Sequence, residues 1–515
     1  MITEKLSRIA GRVVFFLALI PIAALTFFTL WSHTYIDMRG TEEAFFRTGP
    51  FYYYLLLAMV VLMLPLVHRL LRKISERTLF FGGLILYLAL GTFLICYASD
   101  ILRADAGMVY SYAQRVSAGD YSGFDATKYL NHYPFQLGLM TLERFLLLFS
   151  SSTKILFVSN LVFCLISNLF MWRIATEVLQ EEIARKWAIL LSFLFLPHLF
   201  FILFAYGQVP GLCGMLGGIY YTLRFWGKGQ WRDLVYSALF YSFACQMKKN
   251  YTIAVIAVVI LYLLRTLRER SWKREMLGAI MIAACVIITN AAVIGHYARR
   301  YGAELNPGEP MAGFFAMGLQ DAHGDETTPS ANCGWENGYV FDHFDIYGAD
   351  ADAVTDLSIA YLKERVPYML SHPGYMAHFF LNKLRSTWTD PLFQSVWSGP
   401  QEAYGQPSHH ILLISLYRGG HVYNLLEVIM HVVLFLLYLL TCYRVCRVLA
   451  GGTSAGSDAL LLVMVYFLGG LLYHLLSETK SQYVFMYVYL MILPAVQGLQ
   501  EVMRGIKERR KPHHE

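Results

Sequence analysis

Charged residues are scarce in this chain. Asp, Glu, Lys and Arg account for 15% of the 515 residues, and hydrophobic residues account for 57%. Soluble globular domains usually carry about 25% charged residues. This composition excludes an ordinary soluble domain and indicates that much of the protein surface faces lipid.

Paired cysteines and the signatures of several enzyme classes are also absent from the sequence. Of the eight cysteines, only Cys333 falls in a predicted external loop, and no two have the spacing of zinc ligands. The sequence has no P-loop and no Ser-His-Asp pattern. Asp350-x-Asp352 mimics a nucleotide-sugar motif, but no Rossmann pattern accompanies it. These absences leave no support for a disulfide framework or for a nucleotide-sugar enzyme.

Long apolar runs are abundant instead. About 20 apolar residues in a helix cross the hydrocarbon core of a bilayer. The sequence therefore predicts an all-α polytopic membrane protein with about 12 transmembrane helices. We place these helices near residues 13–32, 51–67, 79–97, 154–172, 187–204, 208–223, 234–247, 252–264, 276–295, 423–441, 459–476 and 483–499.

The basic residues predict the orientation of these helices. Arginine and lysine near the ends of spans mark the cytoplasmic side. Basic groups occur at the N-terminus, in alternate connections and at the C-terminus, so we expect a multi-pass protein of the cell membrane with both termini cytoplasmic. They also explain the net charge of +6 without a nucleic-acid partner. The groups comprise Lys5, Arg8, Arg12, Arg69, Arg72, Lys73, Arg77, Arg173, Arg185, Lys186, Arg224, Lys228, Arg232, Arg265, Arg268, Arg270, Lys273, Arg274, Arg444, Arg447, Arg504, Lys507, Arg509, Arg510 and Lys511.

The predicted spans divide the chain into four parts. Residues 1–78 hold an N-terminal cytoplasmic tail and an extra transmembrane hairpin. Residues 79–296 form the transmembrane core, whose first external loop, 99–153, is the predicted catalytic loop and carries helices lying at the membrane surface. Residues 297–422 form a large external loop domain of mixed structure, too rich in aromatic residues for disorder. Residues 423–515 hold the C-terminal transmembrane helices and a basic cytoplasmic tail.

Asp100 and Asp105 follow the apolar run that ends at Tyr97, and we expect them just outside the membrane. A carboxylate held there suits a general base that acts on a lipid-borne substrate. Asp105 is the candidate base; the alternative is a carboxylate that caps a helix. Asp100 is either its partner or a helix-end residue. Asp120 and His132 are candidates for contact with the acceptor or a metal, and the alternative for each is an ordinary surface residue.

Lys248 and Lys249 interrupt an otherwise apolar passage at its predicted external end. Charged side chains in such a position are costly and usually functional, and an ammonium group suits a lipid phosphate. The alternative is the solvated tip of a helical hairpin. The sequence does not choose between the two lysines. Arg299 and Arg300, just beyond the ninth predicted span, are further candidates for phosphate binding.

Four more polar residues lie around the outer end of the eleventh predicted span and the start of the twelfth. His474 and Glu478 are four residues apart and share a helix face. Lys480 and Tyr483 follow them. The group is either a structural cluster or part of a binding site.

The order of several short motifs resembles a known enzyme class. It is similar to that of the GT-C glycosyltransferases, in particular to the branch that contains protein mannosyltransferases and lipid A aminoarabinose transferases. Two features depart from that pattern: the hairpin at 13–67 precedes what should be the first span of the family, and Gln482 stands where relatives often have arginine. The motifs are Asp105-x4-Tyr110-x2-Ala113, Gly119-x-Tyr121, Tyr133-Pro134 and Glu478-x4-Tyr483.

The resemblance implies a function. Such enzymes transfer a sugar from a polyprenyl-phosphate donor, and Asp105 is then expected to deprotonate the acceptor while the anomeric carbon inverts. The acceptor would be an envelope glycan, a lipid-linked polymer or a protein. No cofactor is certain, and a divalent metal is left open. The resemblance also implies donor-site roles for Tyr133, His474, Glu478, Lys480 and Tyr483.

Two other functions fit an integral membrane protein of this kind. A flippase or transporter of lipid-linked glycans would place charges near the middle of the bilayer, whereas here they cluster at predicted external helix ends. A non-catalytic envelope scaffold would explain the external domain but not the lysines within apolar sequence. We therefore expect a membrane glycosyltransferase whose partners are the lipid-linked donor, an envelope acceptor and membrane lipids.

Overall fold

The computed structural model describes residues 2–38, 40–268, 272–324, 328–402, 405–451 and 458–509. Three of the basic residues used to predict orientation, Arg270, Arg510 and Lys511, lie outside these ranges.

The N-terminal part is a helical hairpin whose tip is a small β-sheet. Helix α2 ends in Arg72 and Lys73, and the Ser75 hydroxyl caps α3 by accepting a hydrogen bond from the Thr78 amide at 3.0 Å. The strands are antiparallel, with Ser32 opposite Thr48 and Ile36 opposite Ala44. The elements are α1 (Ile2–Trp31), β1 (Ser32–Ile36), β2 (Ala44–Thr48), α2 (Phe51–Lys73) and α3 (Glu76–Tyr97).

The first predicted external loop forms helices too short or too polar to cross a membrane. Helix α4 buries Val109, Tyr110, Ala113 and neighbouring apolar residues on one face, and it packs against α6. The elements are α4 (Ala104–Ser117), α5 (Tyr129–His132) and α6 (Leu137–Leu147).

The central part is a bundle of seven helices in which α10 packs closely against α7 and α11. The predicted run 187–204 is broken, because Pro197 cannot donate the backbone hydrogen bond that a continuous helix needs. The two pieces bend by 46°. The helices are α7 (Lys154–Val178), α8 (Glu182–Leu194), α9 (Pro197–Phe200), α10 (Gln208–Lys228), α11 (Trp231–Met247), α12 (Thr252–Thr266) and α13 (Trp272–Tyr301).

The second predicted external segment contains five helices. The Asp350 carboxylate caps one of them by accepting hydrogen bonds from the Asp352 and Ala353 amides, both at 3.0 Å. The Asp350-x-Asp352 motif is therefore a helix N-terminus, as such side chains favour. The helices are α14 (Met311–Gly318), α15 (Tyr339–Ile346), α16 (Ala351–Ser371), α17 (Pro373–Trp388) and α18 (Ile411–Tyr417).

The C-terminal part returns to long apolar helices, and α19 packs against both α1 and the final helix. The predicted run 483–499 is interrupted near Met491, because Pro494 cannot bond to the carbonyl four residues earlier. The helices are α19 (His421–Leu449), α20 (Asp458–Leu476), α21 (Phe485–Leu490) and α22 (Ile492–Arg509).

The prediction of an all-α polytopic membrane protein is confirmed. Within the described ranges, nine helices are long and apolar enough to cross a membrane, or ten if the bent pair Glu182–Leu194 and Pro197–Leu203 is one span. The count of twelve is not confirmed. The predicted runs at 208–223 and 234–247 form helices α10 and α11, but neither is among the nine helices that are long and apolar enough to cross a membrane. The nine are Ser7–Trp31, Phe51–Lys73, Glu76–Tyr97, Lys154–Val178, Lys249–Thr266, Trp272–Tyr301, His421–Leu449, Asp458–Leu476 and Phe485–Ile506.

The two ends of the bundle differ in charge. At one end, ion pairs and hydrogen bonds join the ends of neighbouring helices. Arg185 pairs with Glu76 at 2.8 Å, and Arg265 pairs with Glu275 at 3.0 Å. Gln500 donates to Glu181 at 2.9 Å. These contacts lie at one end of the bundle, and the β-hairpin and α4 lie beyond the opposite helix ends.

Candidate active site

Asp105 lies in the first turn of α4, where the helix dipole favours a carboxylate. The preceding residues fix this turn. Arg103 is buried, donates to the Trp397 carbonyl and stacks on the Trp397 ring with its guanidinium carbon 3.7 Å from the ring centroid. Ala104 has a φ of 41°, a region that costs a non-glycine residue energy and often occurs at functional sites. The Asp105 side chain stays accessible while Ala106 beside it is buried.

Several groups surround the Asp105 carboxylate. Its pKa is raised because the enclosing protein disfavours the charged form, while the Lys480 ammonium, the Tyr206 hydroxyl and the Lys248 ammonium act in the opposite direction. Tyr206 is held by the Gln136 amide, which donates to its hydroxyl at 2.7 Å. The carboxylate is thus accessible yet enclosed, with two cations close enough to act on it.

Lys480 follows the C-terminal end of α20 and forms an ion pair with Glu42 at 2.7 Å. Burial lowers the pKa of this ammonium, but Glu42, Glu478 and Glu336 raise it above its ordinary value. The second carboxylate oxygen of Glu42 accepts a hydrogen bond from the Gln394 amide at 2.9 Å. Lys480 is therefore a charged group at the pH of any cell.

Lys248 lies between α11 and α12 and is 9% exposed. Its ammonium lies 4.3 Å from the centre of the Tyr206 ring and 5.3 Å from that of Tyr483. It also lies 3.1 Å from the side-chain amide of Gln208. Burial lowers the pKa of Lys248 to about 7, although Asp105 and Glu478 act in the opposite direction.

A glycine allows the chain to bring Tyr206 and Lys248 together. Gly207 has a φ of +83°, and a Cβ there would lie 2.1 Å from the Met247 carbonyl oxygen. Only glycine fits both the left-handed conformation and this close approach. The turn before α10 therefore packs directly on the end of α11.

Glu478 and His474 precede Lys480 in the chain, and the charge of Glu478 acts on Lys480 together with that of Glu42. Burial raises the pKa of Glu478 to about 8. The His474 ring is buried and stacks with Tyr483 at a centroid distance of 5.9 Å. Backbone contacts bind this turn to the large loop: the Glu478 amide donates to Phe314 at 2.9 Å and the Thr479 amide to Gly334 at 2.8 Å.

Of the residues singled out in the sequence, the structure brings Asp105, Lys248, Lys480, Glu478 and Tyr483 into one group. Burial raises the Tyr133 pKa, and the charges of Glu309 and Asp105 raise it further. Tyr133 is therefore near enough to Asp105 to be affected by its charge.

His132 lies next to this group. Its ring bridges Glu309 at 2.8 Å and Asp345 at 2.9 Å. Burial lowers the His132 pKa, but the two carboxylates raise it overall. His132 therefore joins α5 to the large loop.

The other candidates lie apart from the group. Asp100 is exposed, and its backbone carbonyl accepts from Thr153. Asp120 pairs with Arg115 at 2.7 Å. Arg299 and Arg300 are exposed in the last turn of α13. Lys249 is exposed, with its ammonium 5.7 Å from the Phe135 ring centre.

Sequence reasoning missed Glu42, Tyr206 and Gln394. Glu42 comes from the turn of a β-hairpin that the apolar pattern did not reveal, and Gln394 comes from a buried turn with a φ of 55°. Tyr206 precedes Gly207, and a glycine directly before a predicted helix was the one sequence signal that could have drawn attention to Tyr206.

Among the residues that the structure describes, no set of metal ligands gathers beside Asp105. In the part of the chain that the structure describes, the one group of three side chains arranged to hold a metal comprises His33, Glu427 and His431, outside the group around Asp105.

The fold and this site define a polytopic membrane protein with a carboxylate and two lysines gathered at one end. Residues 137–294 match the model of the dolichyl-phosphate-mannose-protein mannosyltransferase family. The matched region runs from α6 into α13 and contains Tyr206 and Lys248, but it is less than a third of the chain. No curated protein matches this chain. The family match confirms the resemblance to this family, although residues 137–294 contain none of the four motifs, and it supports a membrane glycosyltransferase of the GT-C type.

Proposed function

We propose that this protein transfers a monosaccharide from a polyprenyl-phosphate donor to an envelope glycan, a lipid-linked polymer or a protein on the external face of the cell membrane. The observation that carries the proposal is the grouping of Asp105 with Lys480 and Lys248. A base for the acceptor and cations for the departing phosphate are the two requirements of this transfer.

Asp105 acts as the general base. The acceptor hydroxyl oxygen attacks the anomeric carbon as its proton passes to Asp105. The bond between the anomeric carbon and the phosphate oxygen breaks, and its electron pair leaves with the polyprenyl phosphate, so the anomeric centre inverts. A raised pKa makes the Asp105 carboxylate a stronger base than an aspartate with an ordinary pKa.

Lys480 and Lys248 stabilise the leaving phosphate. Both are largely buried, so water screens them little and their interaction with a phosphate is strong. Gln482 is uncharged. Its backbone amide donates to the Gln394 side-chain oxygen at 3.2 Å, and its side-chain oxygen lies 3.0 Å from the side-chain amide of Gln208. The two lysines therefore supply the positive charge that arginine supplies in the family pattern.

The test is transfer of labelled sugar from a panel of polyprenyl-phosphate monosaccharides to envelope material by the purified protein. Asp105→Asn should lower turnover by about 10²–10⁴-fold, as loss of a general base does. Its thermal stability and its affinity for the polyprenyl phosphate should stay near wild type. Asp100→Asn is the matched control, because Asp100 precedes the same helix but is exposed outside the site, and it should remain active. Full activity of Asp105→Asn with loss in Asp100→Asn would overturn the assignment.

A further inference from the structure

A second cluster of polar side chains lies where the β-hairpin meets α19. It consists of His33 on β1 with Glu427 and His431 on α19. Glu427 and His431 are four residues apart, so both project from one face of the helix. One ligand atom from each residue lies within 4.8 Å of the others. The three residues are 0%, 1% and 0% exposed, respectively.

The polar atoms of this cluster are unsatisfied. Among the described residues, both ring nitrogens of His33, both ring nitrogens of His431 and Oε1 of Glu427 have no hydrogen-bond partner. Buried polar groups almost always find a partner, because leaving one without it is costly. Five such atoms in one place indicate a ligand that supplies the missing contacts.

The neighbours of the cluster narrow the choice of ligand. The His33 and His431 rings stack with their centroids 3.5 Å apart, and the Tyr53 ring packs edge-on against His33 with 4.5 Å between the ring centroids. The remaining oxygen of Glu427 pairs with Arg47. The stacked rings leave no room between them for an organic ligand. Each neutral imidazole offers one nitrogen lone pair, and Oε1 of Glu427 offers oxygen lone pairs. An ion fits these conditions.

We propose that His33, Glu427 and His431 bind a divalent transition-metal ion and that Zn²⁺ suits them best. Two imidazoles and a carboxylate are a common set of zinc ligands, and zinc accepts irregular geometry. Calcium and magnesium prefer oxygen ligands. Binding requires the two rings to open from their stack, because a metal lies near the plane of each imidazole it binds.

The site would fasten the β-hairpin to the transmembrane bundle. His33 comes from the hairpin, and its partners come from α19, a span close to the C-terminus. The hairpin also carries Glu42, which pairs with Lys480. A metal at this point therefore holds the hairpin that reaches the candidate active site, without taking part in sugar transfer.

Metal content tests this inference independently of activity. The full-length protein is purified in detergent without chelator, loaded with Zn²⁺ and freed of unbound metal. It should then retain one zinc ion per chain, measured by inductively coupled plasma mass spectrometry. His33→Gln and His431→Gln should lose it. His198→Gln is the matched control and should keep it, because His198 is equally buried with both nitrogens unpartnered but lies away from the cluster.

If a histidine variant does not fold, removal of zinc from the wild-type protein with a chelator provides a second test. Removal of zinc should lower the melting temperature, and added Zn²⁺ should restore it in wild type and in His198→Gln. Arg47→Gln breaks the ion pair with Glu427 but keeps all three ligands, so it should bind zinc at least as tightly as wild type. Wild-type protein that retains no zinc, or whose melting temperature Zn²⁺ does not change, would overturn the proposal.

Discussion

Lys248 and Lys249 are neighbours in the chain with different surroundings. The Lys248 ammonium lies among the rings of Tyr206 and Tyr483, whereas the Lys249 side chain is exposed beside Phe135. The difference arises because the two lysines occupy the turn between α11 and α12, which cannot direct two successive side chains to the same side. Only Lys248 is therefore available to the group around Asp105.

Lys248→Gln should weaken binding of a polyprenyl phosphate by about 10-fold or more, which corresponds to about 1.4 kcal/mol. Lys249→Gln, the matched control, should bind nearly as wild type. Affinity is measured with the purified protein by competition against a fluorescent polyprenyl phosphate. Equal loss in both variants, or loss only in Lys249→Gln, would contradict the assignment.

The same residue predicts a dependence on pH. Because the Lys248 pKa is lowered to about 7, the free protein loses this cation as the pH rises through about 7, and the affinity for a phosphodiester of constant charge should begin to fall there. Glu478, with a pKa of about 8, gains negative charge over a nearby range and acts in the same direction. In Lys248→Gln, the affinity for the phosphodiester should therefore depend less steeply on pH than in wild type. The same pH dependence in both proteins would exclude Lys248 as the group that titrates.

At the scale of elements, the β-hairpin between α1 and α2 lies at the same end of the bundle as the candidate active site and contributes Glu42 to it. Strands β1 and β2 hold the turn that carries Glu42, and Glu42 neutralises Lys480 at 2.7 Å. In the proposed function, a donor phosphate would share Lys480 with this carboxylate. We therefore propose that the hairpin sets how much positive charge the site offers to the donor.

Glu42→Gln should raise the affinity for a polyprenyl phosphate several-fold. The substitution keeps the shape of the side chain and its contact with Gln394 but removes the competing negative charge. Glu43→Gln is the matched control, because the neighbouring carboxylate contacts His323 at 3.5 Å instead, and it should leave the affinity unchanged. A weaker affinity in Glu42→Gln would mean that Glu42 positions Lys480 rather than competing for it.

At the scale of the whole molecule, the two ends of the bundle carry different chemistry. Arginine-rich ion pairs join the helix ends around Glu76 and Glu181, and the group around Asp105 lies beyond the opposite ends. We propose that the arginine-rich end is cytoplasmic, because basic residues tend to stay inside. In that orientation the site faces outward, where the proposed envelope acceptor would be found. The division of the chain into the four predicted parts remains a proposal.

Cysteine accessibility in intact cells tests this orientation. Lys128→Cys and Thr328→Cys, introduced in a cysteine-free background, should react with a membrane-impermeant maleimide. Lys73→Cys and Lys228→Cys should react only after the membrane is permeabilised. The opposite pattern would place the site on the cytoplasmic side and contradict the proposal of an external acceptor. It would leave the proposed roles of Asp105, Lys248 and Lys480 unchanged.

The sequence by itself determined the class of structure and the motifs that resemble GT-C enzymes. Apolar runs of membrane-spanning length leave a chain no alternative to helices in lipid, because every backbone polar group must be bonded within the segment. The order of motifs around Asp105, Tyr133 and Glu478 led to the same class of protein as the family match at residues 137–294. Both inferences depend on the apolar runs and on the order of motifs along the chain, which do not require knowing which segments pack together.

Only the tertiary structure decided which polar residues meet. Lys248 and Lys249 are equivalent in the sequence, and the geometry of a single turn separates them. Glu42 reaches Lys480 across more than four hundred residues, and His33 reaches His431 across nearly as many, through the packing of the N-terminal hairpin on α19 and its neighbours. Such contacts depend on how helices pack side by side, and the hydrophobic pattern within each helix carries no information about its partners.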